Sequence, residues 1–246
     1  MSQSTVNNAE YSEFVLRRLH SLTGVVPLSA FIAFHFFANS FSTVGPVPFN
    51  RIVDGLRSMP FLIAIEWGAL FAPFLFHMFY GLWIVFRGQT NMKREPYVRN
   101  FSYLAQRITA LIMFVFIFTH VISMKYIVIP EHNYPIGADY YSVLREHFRN
   151  PYIYWWYVVA VASTMFHLAN GICTFAMTWG ITIGRNSQRI TAMAMTGVGI
   201  VLFLMALASM NGFLKEATPE HNTGAPEAAL TVTTPRLGDR SGNSPL

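Results

Sequence analysis

Residues 61–86 read FLIAIEWGALFAPFLFHMFYGLWIVF. Glu66 and His77 carry its only carboxyl and imidazole. At about 1.5 Å of rise per residue, a helix of this length crosses the ~30 Å hydrocarbon layer of a bilayer. The run does not alternate apolar and polar residues, so it is no strand of a membrane β-barrel. Similar runs lie at roughly 22–41, 104–129, 153–183 and 190–214. Together they predict an all-α integral membrane bundle of five transmembrane helices within residues 1–215. Residues 216–246 are rich in Thr, Pro, Gly and Ala with nothing to pack, and are expected to form a disordered tail in which His221 is silent.

Composition agrees with that reading. Apolar types make up 53% of the chain and charged types 12%, too little polar surface to cover a water-soluble core. The net charge of +5 is scattered over short connections, a pattern that sets topology and offers no stripe for nucleic acid. A single cysteine, Cys173, excludes an internal disulfide and a Cys-based metal cluster, and no c-type haem attachment motif occurs. The N-terminus, MSQSTVNNAEYSE, is polar and reads as no cleavable signal. Nine Lys and Arg residues flank the spans on the N-terminal side of the bundle (Arg17, Arg18, Arg87, Lys93, Arg94, Arg99, Arg107, Arg185, Arg189), against six on the other. That bias places the N-terminus in the cytoplasm and the end of the fifth span outside, in a multi-pass protein.

Four of the eight histidines fall within spans, one on each of the first four: His35, His77, His120 and His167. A lone histidine in a membrane helix is commonly a hydrogen-bonded packing residue, yet an ionisable group at that depth also marks a functional site. Depth separates the two readings. From Ser21 to His35 and from Gln106 to His120 is 14 residues each, which puts both about 21 Å above the basic boundary. From Pro60 to His77 is 17 residues and from Pro151 to His167 is 16, so both lie about 25 Å below the opposite boundary. With boundaries about 36 Å apart, the histidines form two pairs at two levels separated by about 10 Å. Two imidazoles on facing helices at one level suit a flat macrocycle with iron at its centre, low-spin and built for electron transfer. His77 and His167 are then the axial ligands of an inner b haem, and His35 and His120 those of an outer one. The segments HMFYG and HLANG each carry a glycine at i+4 on the histidine's own face. Gly81 and Gly171 are expected to let a flat ring approach, or else simply to aid helix contact. Asn170 and Thr164 are candidates to orient the imidazoles.

These contexts, FVLRRLHSLTGVVPLSAFIAFHFFANSF (14–41), PFLFHMFYGLWIVF (73–86), QRITALIMFVFIFTH (106–120) and STMFHLANG (163–171) with FAMTWGITI and SQRI beyond it, resemble the dihaem cytochrome b membrane-anchor subunit of succinate dehydrogenase and fumarate reductase complexes. The likeness is to the five-helix, single-anchor form of menaquinone-using bacteria and covers roughly residues 11–214. It implies two haem b cofactors and (mena)quinone as electron partner. It also implies a flavoprotein and an iron–sulfur subunit on the cytoplasmic face, the bacterial inner membrane as location, and room for a higher oligomer of the complex. The chain would act as wire and anchor of an oxidoreductase whose dicarboxylate chemistry is done elsewhere. A fumarate reductase branch places a glutamate two residues before the fourth ligand as a proton route; here that residue is Met165, which tilts the expectation toward succinate oxidation.

Other candidates are less determined. Arg17, Arg18, His20, Ser21, Arg107 and Arg189 line the basic mouth, where they would meet haem propionates or a partner subunit. The pentapeptide QRITA occurs at 106–110 and 188–192, either as an interface anchor or as a pair of anion-facing arginines. Glu66 lies 11 residues before His77, about 16 Å nearer the outside, where a carboxylate could exchange protons with a quinone or serve structure alone. Residues 47–60, VPFNRIVDGLRSMP, read as a surface helix whose Asn50, Arg51 and Asp54 could close over a quinone. His132 and His147 are expected to be solvated. Two rivals stand: the haem-b subunit of a hydrogenase or formate dehydrogenase, and a proton-coupled transporter using the histidines as a relay. A bc-type cytochrome b carries its ligands two per helix and does not fit.

Overall fold

The computed structural model describes residues 3–89, 92–129 and 135–215; the expected tail with His221, and His132, lie outside them. Among the described residues every regular element is helical. The α-helices are α1 (Gln3–Thr23), α2 (Ser29–Ser40), α3 (Pro46–Arg57), α4 (Leu62–Ile65), α5 (Ala72–Arg87), α6 (Val98–Ile122), α7 (Tyr140–Arg149), α8 (Pro151–Thr178) and α9 (Arg185–Leu214). Among the described residues, five stretches are long and apolar enough to cross a membrane: Glu10–Thr43, Leu62–Arg87, Val98–Val128, Pro151–Thr178 and Arg185–Leu214.

Two spans differ from their apolar runs for local reasons. The first helix starts well before residue 22, because the polar stretch around Arg17 and Arg18 continues the same helix out of the apolar layer. The fourth stops at Thr178, short of residue 183. Gly180 adopts φ 72°, and the amides of Ile181 and Thr182 fold back onto the carbonyl of Ala176, a left-handed helix stop.

Three spans widen into π-helical turns, at Gly24–Leu28, Glu66–Phe71 and Ser123–Val128. Pro27 lies inside the first, and Pro73 follows the second by two residues. Each proline lacks an N–H and crowds the carbonyl four residues back, so the chain opens by a residue there. In the first turn the Ser29 hydroxyl donates back to the Val25 carbonyl. The third turn contains no proline, and nothing local explains its widening.

Helix α8 is the interior of the bundle. It buries Tyr157, Ala160, Val161, Ser163, Thr164, Met165 and Ala176, and packs against α6 and α9. Small residues permit the approach: a Cβ on Gly199 of α9 would sit 3.5 Å from the Met165 carbonyl oxygen. Outward faces carry exposed Phe37, Val115, Phe118, Val201 and Leu204, suited to lipid tails.

The end away from the arginine-rich mouth is closed by α3 and α7. Their apolar faces meet the last turns of α9 in an aromatic cluster, where the Phe213 ring lies 4.9 Å from Phe49, 5.2 Å from Tyr141 and 5.7 Å from Phe148. Asn50 and Asp54 are spent on this cap and not on an open site. Asn50 donates to Asp139 at 2.9 Å and accepts from the Tyr141 amide at 2.9 Å, and Asp54 accepts from the Gly137 amide at 2.8 Å. Arg51 is exposed. His147 is half-buried rather than solvated, its ring edge-on to Tyr157 at 5.8 Å, and burial holds it below the usual imidazole range.

Two outcomes test this architecture. Gly212 lies so close to the chain at Ser42 and Thr43 that a Cβ would sit 2.7 Å from the Ser42 carbonyl carbon. Gly212→Ala should therefore lose about 1–3 kcal/mol, read as a lower melting temperature in detergent. Burial raises the Asp139 carboxyl, but hydrogen bonds from Ser142 and Asn50 to its ionised form outweigh that, and its pKa lies below the usual value. Its contribution is therefore full above the unfolded carboxylate pKa and disappears as pH falls through the lower folded one. Melting temperature measured between about pH 5 and pH 3 should fall less steeply in Asp139→Asn than in the wild type.

Candidate functional site

The structure brings the four span histidines together in two pairs. At the level nearer the basic mouth, His77 of α5 and His167 of α8 have ring centroids 6.4 Å apart with planes at 82°. At the other level, His35 of α2 and His120 of α6 lie 6.1 Å apart, also at 82°. A metal bonded to one nitrogen of each imidazole, at about 2 Å per bond, separates two such ring centres by roughly 6 Å once the ring radii are added. Among the described residues no group of three or more His, Cys, Asp or Glu is placed to hold a bare ion. Two imidazoles alone suit a metal that brings its remaining ligands with it, as haem iron does.

The free nitrogen of each ring is set by what its neighbour touches. His77 Nδ1 donates to the main-chain oxygen of His20 at 2.8 Å, and His167 Nδ1 to that of Gln106 at 3.2 Å. Carbonyl oxygens only accept, so both rings are protonated at Nδ1 and Nε2 is left with its lone pair. His120 Nδ1 lies 2.9 Å from the Tyr157 hydroxyl. His35 differs: the Asn39 amide donates to its main-chain oxygen at 2.8 Å and stands 3.5 Å from its Nε2.

Gly81 and Gly171 were expected to make room beside these rings, and the structure adds Gly24 and distributes the three unevenly. A Cβ on Gly24 would fall on the His77 imidazole. One on Gly81 would sit 2.9 Å from His20 Nε2, so the space at Gly81 is taken by His20, whose ring stacks on His77 at 4.2 Å and 6°. One on Gly171 would meet only Gln106 Nε2, at an ordinary 3.6 Å. Gly24 escaped the sequence reading although HSLTG at 20–24 repeats the spacing of HMFYG and HLANG. Gln106 escaped it too. Its side chain donates to the His167 main-chain oxygen at 3.1 Å and accepts from Asn170 at 2.8 Å, while Thr164 turns back to its own helix at Ala160. In the second QRITA copy, Gln188 bonds the Thr182 and Ile183 carbonyls and starts its own helix.

The basic mouth is partly self-satisfied. Arg17 pairs with Glu13 at 2.7 Å, and Arg107 lies over Tyr103 while reaching the Ile84 and Val85 carbonyls. Ser21 donates to the Arg18 carbonyl and accepts from the Trp179 indole. Arg18 lies between Phe14 and Trp179 with its buried Nε lacking a partner, which leaves it a donor for an anion. Arg189 is exposed. Toward the capped end, Glu66 pairs with Lys125 at 2.9 Å, joining the π-helical turns of the second and third spans. Nothing in the sequence pattern had singled out Lys125.

Residues 92–207 match the model of the succinate dehydrogenase/fumarate reductase transmembrane subunit. The chain is also 33% identical over 203 residues to the succinate dehydrogenase cytochrome b558 subunit of Bacillus subtilis (strain 168), covering 82% of this chain and 98% of that protein. The chain belongs to this family of transmembrane subunits. It is the membrane-anchor cytochrome b subunit of a succinate dehydrogenase/fumarate reductase complex, a multi-pass protein of the bacterial inner membrane. Membership sets aside the hydrogenase, formate dehydrogenase and transporter readings.

In this anchor subunit the inner pair depends on the Gln106 side chain as well as its carbonyl. Gln106→Leu leaves the Asn170 amide and one His167 lone pair unmatched and should cost about 1–2 kcal/mol. A double-mutant cycle with Asn170→Leu, followed by thermal unfolding in detergent, should show the two losses to be less than additive.

Proposed function

We propose that this subunit passes electrons between a flavin- and iron–sulfur-bearing dehydrogenase on the cytoplasmic face and a membrane quinone, menaquinone by resemblance, through two b haems. His77 and His167 hold the inner haem, and His35 and His120 the outer. The observation that carries the reading is the repeated geometry of two imidazoles about 6 Å apart and nearly perpendicular. Haem iron held by His77 and His167, and by His35 and His120, would supply a one-electron redox site at each level.

The chain's own residues do the rest. The His20 and Gln106 carbonyls hold their imidazoles in one tautomer, with Nε2 free. Gly24 keeps its helix close enough for His20 to reach His77. Arg18 supplies an unspent donor for a propionate at the basic mouth, which we place in the cytoplasm by the charge bias. Arg17 and Arg107, already engaged, and exposed Arg189 are left to anchoring and to docking of the dehydrogenase. Gly81 acts through His20, whose ring occupies the room it leaves, whereas Gly171 meets Gln106 only at an ordinary contact distance.

Toward the capped end, Glu66 is the carboxylate placed to take up and release the protons that quinone reduction requires, with Lys125 steadying its charged form. Met165 supports operation in the direction of succinate oxidation. It is packed with Val161 and Ala206, so an apolar side chain fills the position where a fumarate reductase branch carries a proton-conducting glutamate.

Dithionite-reduced minus oxidised spectra of the purified chain, with pyridine-haemochrome quantification, should give two b haems per polypeptide. His77→Ala and His35→Ala should each remove one and leave the other. Folded, membrane-inserted protein without haem would overturn the reading.

A further inference from the structure

The acceptors that orient the imidazoles are not alike at the two levels. At the inner level both are main-chain carbonyls, which no substitution removes. At the outer level, His120 Nδ1 faces the phenol oxygen of Tyr157 on α8 at 2.9 Å. Tyr157 is buried in an aromatic box, its ring edge-on to Phe116 at 5.0 Å, to Phe148 at 5.0 Å and to His147 at 5.8 Å. Three rings hold the phenol, so trimming any one wall leaves the other two to keep the hydroxyl beside His120.

We propose that Tyr157 is a positioning residue for the outer haem alone, an inference that rests on the two-haem reading above. Its hydroxyl accepts from His120 Nδ1–H, which fixes the tautomer with Nε2 toward the metal and draws proton density away from the ring. An imidazole so engaged is a more basic ligand and favours ferric over ferrous iron. Loss of the hydroxyl leaves Nδ1–H without its acceptor, makes His120 a poorer electron donor, and makes the outer haem easier to reduce. The inner haem, whose ligands lean on carbonyls, is indifferent to the change. One hydroxyl on α8 thus sets the spacing between the two potentials.

The test is a redox titration of the intact complex in membranes, followed optically and by low-spin ferric EPR, for wild type, Tyr157→Phe and Phe148→Leu. The outer signals are identified as those absent from His35→Ala. Phe148 packs on the Tyr157 ring, so its replacement trims one wall of the box while Phe116 and His147 still hold the ring and its hydroxyl. In Tyr157→Phe the ferrous-to-ferric ratio of the outer haem at a fixed applied potential should rise several-fold to about tenfold, the upper end equal to ~59 mV for one electron. The outer EPR signal should move with it, while the inner haem and Phe148→Leu titrate as wild type. Loss of the outer haem from Tyr157→Phe alone also supports positioning. An outer haem in Tyr157→Phe unchanged in potential and EPR signal overturns the proposal, as does the same shift or loss in Phe148→Leu. A wild-type complex with fewer than two b haems would instead defeat the two-haem reading, and that is visible before any variant is compared.

Discussion

An imidazole inside a bilayer has few partners. Water is scarce, and the backbone's donors and acceptors are already committed to the helical ladder. A carbonyl oxygen nevertheless has a second lone pair, so a helix can accept one side-chain donor without losing its own bond. The bundle uses that spare capacity. The His20 carbonyl takes the His77 ring and the Gln106 carbonyl takes the His167 ring. Each such bond fixes which nitrogen is free and pins one helix to the rotation of another. One bond ties the second span to the first and the other ties the fourth to the third.

Helices α6 and α8 meet this constraint reciprocally. At the inner level α6 supplies the acceptor, Gln106, for the histidine of α8; at the outer level α8 supplies the acceptor, Tyr157, for the histidine of α6. Gln106 and His120 are separated by 14 residues on α6, and Tyr157 and His167 by 10 on α8, about 21 Å and 15 Å of rise. The two helices are therefore keyed together at two heights, and neither can slide or turn without disturbing both levels. Helix α8 is also the most enclosed of the spans, and Gly199 lets it come close to α9.

Much of this was legible because period and depth are one-dimensional. Counting residues from each boundary separated His35 and His120 from His77 and His167, and the structure sets the rings in the same partnership. What could not be read was lateral. HMFYG shows that Gly81 lies on the histidine's face, but not that His20 from another helix occupies the opening. HSLTG carried the same spacing and the more consequential glycine, yet its histidine stands at the edge of the apolar run, where depth gives no warning. Asn50 and Asp54 looked available because the partners they bind, at 137–141, lie more than 80 residues away in the chain. The end of the fourth span was misplaced because apolar content continues past Thr178, whereas the helix obeys Gly180.

The π-helical turns tie local chemistry to the site. A widened turn shifts every later side chain by a fraction of a helical turn, so the faces before and after it point differently. In the first span the turn lies between His20 and His35, and in the second it begins at Glu66 and ends before His77. A straight α-helix would place residues 15 apart, such as His20 and His35, some 60° away from alignment by the 3.6-residue period. One wide turn alters that relation, letting a single helix address two partners at two levels. Pro27 and Pro73 maintain the widening, because neither can donate the bond that would tighten it. Proline in these spans thus helps set how His20 faces relative to His35, and Glu66 relative to His77: a residue usually read as a break tunes the angle between side chains on one helix.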